Sequence, residues 1–140
     1  MKTDPKIELF TWLNSELSGV IGDDKVYTEI APKDTLPTWV LISQYNATPS
    51  GSKMRWGNRV SFLVEVVTAS DDVVGNQNIV NDVLSTIQPK PRAEVSLPNF
   101  TLFVLVEPNI NSFTEQSEFG MTYRTQIRYY AEINQNDLLT

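Results

Sequence analysis

Apolar and polar positions alternate along this chain in two different periods, and the period changes mark its elements. Asp4-Pro5 reads as a cap followed by proline at a first helical position, where the missing N–H costs nothing. Ile7, Phe10, Leu13 and Leu17 then recur at helical spacing, with Gly19 and Gly22 near the exit, which predicts an amphipathic helix. "KVYTEI" at 25–30 alternates as a short strand, with Val26, Thr28 and Ile30 on one side. "APKDTLP" holds two prolines and reads as an irregular connection, and "TWVLISQY" after it is rich in strand-forming aromatic and branched residues.

Residues 46–58 interrupt the pattern. Pro49, Gly51 and several small polar residues there predict a long exposed loop. Alternation returns at 59–69, with Val60, Phe62, Val64 and Val66 facing one way and Arg59, Ser61, Leu63 and Glu65 the other. "SDDVVGNQNIVNDVLSTIQ" predicts a second helix: Ser70 is placed to cap it, Asp71 and Asp72 complement its dipole, and Val73, Val80, Val83, Leu84 and Ile87 form its stripe. "QPKPRAEVSLP" ends that helix, "FTLFVLVE" at 100–107 reads as a buried strand, and 108–117 as a polar connection. The longest alternation comes last: Tyr123, Thr125, Ile127, Tyr129, Ala131 and Ile133 face one side, and Arg124, Gln126, Arg128, Tyr130 and Glu132 the other.

The order α-β-β-β-α-β-β predicts an α+β fold: a mixed, mainly antiparallel sheet of about five strands with two helices on one face. At 140 residues the chain makes a single domain, 1–140. The uncovered sheet face and the loop are then its informative surfaces.

Charge and composition narrow the chemistry. A net charge of −6 argues against a general nucleic-acid binder, yet residues 35–64 contain no acid and carry +3 through Lys53, Arg55 and Arg59. With no cysteine and no histidine, disulfides, thiolate or imidazole metal sites, a cysteine nucleophile and a Ser-His-Asp arrangement are excluded. Asp23-Asp24 and Asp71-Asp72 sit where turns and helix starts favour acids, so they are read as structural. "SGSK" at 50–53 lacks the spacing of a phosphate loop. No catalytic residue, cofactor site or metal site is assigned. The charged amino terminus and the want of any long apolar run predict a protein of the cytoplasm with no membrane partner.

Trp56 among Lys53, Arg55 and Arg59 suits a partner interface, or folds back on the core with the cations solvated. Arg124, Arg128 and Tyr130 on an open sheet face suit a polar subunit contact, or pair across strands with Glu65, Glu107 or Glu132.

The order of elements resembles the tail-terminator or tail-completion (neck) proteins of long-tailed bacteriophages, from Ile7 to Ile133. "LPTWVLISQ" is similar to that family's proline followed by an aromatic-aliphatic strand. "GSKMRWG" before "RVSFLVEVVTAS" resembles a loop leading into its long central strand, "DDVVGNQNIVNDVLSTI" its second helix, and "TYRTQIRYYAEI" a late strand. Thr38 between Pro37 and Trp39, and the "PKPRAEVSLP" connection, depart from the pattern.

The resemblance implies a non-enzymatic virion assembly protein. Such proteins form homo-oligomeric rings, commonly of six, on the end of the tail tube; they stop its polymerisation and offer the surface that joins tail to head. The partners implied are further copies of the chain, the tail tube protein, a head-completion or connector protein, and DNA passing through the lumen without sequence specificity. The places implied are the virion tail or neck and, during assembly, the host cytoplasm. Lys53, Arg55, Trp56, Arg59, Arg124, Arg128 and Tyr130 are the interface residues this reading selects. The competing expectation is a monomeric or dimeric binding module that holds a small ligand on its sheet, with Tyr123, Tyr129 and Trp39 as the apolar lining.

Overall fold

The structure, a computed structural model, describes residues 2–30, 38–50, 55–88, 95–117 and 120–138. Helix α1 (Lys6–Ile21) is followed by β1 (Val26–Thr28), β2 (Thr38–Pro49), β3 (Arg55–Ala69), α2 (Val73–Thr86), β4 (Val95–Ser96), β5 (Phe100–Ser117) and β6 (Gly120–Leu138). Six strands form one sheet in the order β1-β2-β3-β6-β5-β4, with β1 parallel to β2 and every other pair antiparallel. The α+β class and the two covering helices are as expected, whereas the sheet has six strands instead of about five and an extra short strand before β5.

Two predicted irregular stretches turn out to be strand. Asn46, Ala47, Thr48 and Pro49 pair with Ser61, Val60, Arg59 and Asn58, so residues 46–49 and 55–58 of the exposed loop expected at 46–58 are strand, and 51–54 lie outside the described residues. The polar stretch 108–117 is the second half of β5, paired with β6 as far as Ser117 opposite Gly120. Both stretches were hidden by proline and small polar residues, which edge strands and bulges tolerate. Bulges fall between Ser43 and Asn46 of β2 and between Val106 and Asn109 of β5. The proline-rich stretches at 31–37 and 89–94 lie outside the described residues.

The core lies between the sheet and the helices. Leu9, Phe10, Leu13 and Leu17 of α1, Val80 and Val83 of α2 and Ile87 just after it pack on Val40, Ile42, Phe62, Val64, Val66, Ile127, Tyr129 and Ile133. Ile7, expected in the α1 stripe, is exposed, and Leu9 takes its place. The helix begins at Lys6, whose N–H is accepted by Asp4 Oδ1 at 3.1 Å. Ile30 is exposed because the chain leaves β1 at Glu29, where φ is 71°. Asp72, and not Ser70, caps α2: its carboxylate accepts the Gly75 N–H at 2.9 Å. A Cβ on Gly75 would stand 2.3 Å from that carboxylate, so the cap and the glycine go together.

Asn76 joins α2 to the sheet. Its buried amide donates to the carbonyls of Val66 and Tyr123, both at 3.1 Å, and its Oδ1 accepts the Thr125 hydroxyl at 2.6 Å. Tyr129 stacks on Phe62 with ring centres 5.3 Å apart and donates its hydroxyl to the Ile87 carbonyl at 3.1 Å. The residues predicted to face the core along β6 do so, and the helices leave the other face of the sheet uncovered.

Candidate interaction surface on the open sheet face

Strand register sets the open face as rows running across β2, β3, β6 and β5. Trp39, Val67, Arg124 and Phe113 form one; Leu41, Glu65, Gln126 and Asn111 the next; then Ser43, Leu63, Arg128 and Asn109; then Asn46, Ser61, Tyr130 and Val106. Leu63, Glu65 and Val67 are buried although no helix covers them, so this face is not uniformly the solvated one expected. A twisted sheet curls long side chains of its outer strands over the middle.

The first rows are closed by an ionic cluster. Arg124 Nη1 lies 2.9 Å from Glu65 Oε1, its Nε lies 2.6 Å from Glu115 Oε2, and its guanidinium stands 5.5 Å from the Trp39 ring centre. Gln126 Nε2 donates to the second Glu65 oxygen at 2.9 Å. The cluster ties all four strands together, and it gives Arg124 the cross-strand pairing with Glu65 that its alternation allowed.

Toward the Pro49–Asn58 end of β2 and β3 the face opens. A groove of about 360 Å³ is lined by Asn46, Thr48, Arg59, Ser61, Val106, Tyr130 and Glu132, among others. Arg59 reaches Glu132 at 3.6 Å but keeps 73% of its side-chain surface exposed, a pairing worth little in water. Val106 and Tyr130, opposite each other in the register, expose 48% and 42% of their surfaces, and Phe103, in the bulge between Leu102 and Val104, exposes 46%. Arg128 Nη2 donates to Gln44 Oε1 at 2.6 Å, within the β2 bulge where Gln44 has φ 52°.

The structure thus brings Arg59, Arg128 and Tyr130 together on one face, with Arg124 at its closed end. Arg55 and Trp56 lie at the start of β3, where a bulge separates Arg55 from Gly57; Arg55 Nη1 donates to the Asn136 carbonyl at 2.8 Å and Trp56 is 36% exposed. Lys53 lies outside the described residues. Sequence reading missed Glu115, which fell in the stretch taken for a connection, and Phe103 and Val106, which fell in the strand at 100–107 read as buried and are exposed.

Two phenols have raised pKa values, and neither serves this surface. Burial raises that of Tyr129; burial, followed by the Asp4 carboxylate that accepts its hydroxyl, raises that of Tyr45. The small-ligand lining does not assemble either: Trp39 shares a row with Arg124 on the open face, whereas Tyr129 is sealed beneath the helices and Tyr123 alternates to its side. Among the described residues no three carboxylates stand close enough to hold a metal ion.

No family model matches the chain, and no curated protein does. Among solved structures it is similar to a chain described as "Virion of native gene transfer agent (GTA) particle", with a TM-score of 0.73 and 15% identity over 95% of this chain and 99% of that one. At that identity the likeness is one of fold, extending from end to end of both chains.

Proposed function

We propose that this chain is a structural virion-assembly protein that caps the end of a phage-type tail tube, stops its polymerisation and presents the surface that joins tail to head. The observation that carries the reading is the end-to-end likeness of fold to a chain of a virion particle. The sequence stretches that resemble tail terminators point the same way.

In this reading the protein acts as a ring of identical subunits by surface complementarity, without catalysis. Lys53, Arg55, Trp56, Arg59, Arg128 and Tyr130 meet neighbouring copies, the tube protein, the connector or passing DNA. An acid-free, cationic hairpin on an acidic protein favours an acidic partner surface. Arg124 serves from within, fixing the strands that carry the others.

The test is to polymerise the tube protein of the same virion with and without this chain and to measure tube lengths by electron microscopy. Shorter tubes, each ending in a ring, are expected. Tubes of equal length with bare ends in both mixtures would overturn the reading.

A further inference from the structure

The two margins of the sheet are unequal. At one, β4 covers β5 only at Thr101 and Leu102, so among the described residues nothing pairs with the outer side of β5 from 103 to 117. The nearer part of that edge is protected by Pro108 and by the bulge between Val106 and Asn109, devices that stop chance strand pairing. From Asn109 to Ser117 the register runs unbroken, and the segment holds no proline and no lysine. Its one charge, Glu115, is matched within the subunit by Arg124. An edge this regular and this little defended is a template for another strand.

At the opposite margin stands β1, and its level matches. Tyr27, Leu41, Glu65, Gln126 and Asn111 form one row across the sheet, while Thr28 is level with Ile110 and Val26 with Ser112. Following the strand directions from β1 through β2, β3 and β6, β5 runs antiparallel to β1. A second copy placed beside the first with its strands at the same level therefore offers β1 to β5 in antiparallel pairing, with no slip along the strands. Such a head-to-tail contact uses two different surfaces, the kind that closes into a ring. It also brings exposed Lys25, which has no ion-pair partner among the described residues, diagonally across from Glu115, within reach of long side chains.

We infer that neighbouring copies of this chain join by sheet continuation, the 109–117 edge of β5 in one copy pairing with β1 of the next. The inference rests on the ring reading and names its contact.

The chain has no cysteine, which makes the contact directly testable. Asn111 is exposed and Tyr27 half-buried, and directly opposed residues in such a pairing bring their Cβ atoms within disulfide reach after small adjustment. A chain carrying both Tyr27→Cys and Asn111→Cys, oxidised in dilute solution, is expected to give a thiol-sensitive ladder ending in a closed oligomer, and either single variant to give none. Cross-linking of Asn111→Cys alone would mean that two β5 edges meet, and would overturn the proposal. So would a double variant that stays uncross-linked. Light scattering on the unmodified protein separates the causes: a ring without the cross-link sinks this contact and leaves the ring standing, whereas a monomer at every concentration removes self-assembly itself. Ile110→Lys, an exposed change on the same edge, is expected to lower the oligomer mass without lowering the urea midpoint.

Discussion

Arg124 and Glu65 meet across β6 and β3 at 2.9 Å, with side-chain exposures of 18% and 10%, on the sheet face that no helix covers. A carboxylate this shielded is tolerable because it is paired and hydrogen-bonded; leaving it alone is costly. Arg124→Ala is expected to destabilise the subunit by about 3 kcal/mol, and Arg124→Glu by more, since it gathers three acids in one place. A double replacement of Glu65 and Arg124 by leucine should recover most of the loss, because it removes the buried charges together. Urea titration of the three variants checks this; a double variant as weak as the single one would show that packing, not charge, holds the site.

That pair also marks how far the sequence could be read. Strict alternation along β6 assigned both faces of that strand correctly, because each residue on its inner side meets a helix-covered core. Leu63 and Glu65 misled for the opposite reason: curling of the sheet buries residues on a face that alternation alone leaves to water or another subunit. Pro108 and the run of Asn and Ser after it looked like a loop since local propensity disfavours strand, yet pairing with β6 overrides propensity there. Asn76 carried no signal, because a polar residue in a helical stripe is indistinguishable from a solvent-facing one until its partners across the chain are known. The groove beside Tyr130 depends on bulges in β2 and β5, and bulges leave little trace in a single sequence.

Asn76 supplies the second prediction. Its amide satisfies two strand carbonyls and one hydroxyl in a place without room for solvent. Asn76→Ala is expected to cost roughly 3 kcal/mol, from lost hydrogen bonds and unpaired groups together. Asn76→Leu should not restore stability, although it refills the volume, because the carbonyls of Val66 and Tyr123 still lose the donor that the amide supplies. A leucine variant as stable as the wild type would reduce Asn76 to a spacer.

The buried phenols predict an alkaline limit. Burial raises the pKa of Tyr129 above the ordinary value near 10, and burial together with Asp4 raises that of Tyr45. The native state therefore keeps protons that the unfolded chain releases once pH passes about 10, so the contribution is complete below that pH and declines above it. Urea midpoints should be level between pH 7 and 9 and fall beyond 10. Tyr129→Phe should lose about 1 kcal/mol at pH 7 with the Ile87 hydrogen bond, but decline less steeply above pH 10. An unchanged slope in that variant would assign the decline to other groups.

Arg59 and Arg128 separate assembly from folding. Arg59 is mostly exposed and its contact with Glu132 is long, so its removal should change subunit stability by no more than about 0.5 kcal/mol. Yet Arg59→Glu would set a second acid beside Glu132 in the groove that Tyr130 and Val106 line. If that groove meets an acidic neighbour, repulsion there costs assembly and leaves the fold alone. Arg128→Glu acts on the adjacent row, at the added expense of the Gln44 hydrogen bond. Both variants are expected to keep the wild-type unfolding free energy within about 1 kcal/mol while dissociating at lower salt or higher dilution than the wild type, as sedimentation velocity measures directly. Equal loss of folding and assembly would identify these arginines as parts of the subunit and place its contacts elsewhere.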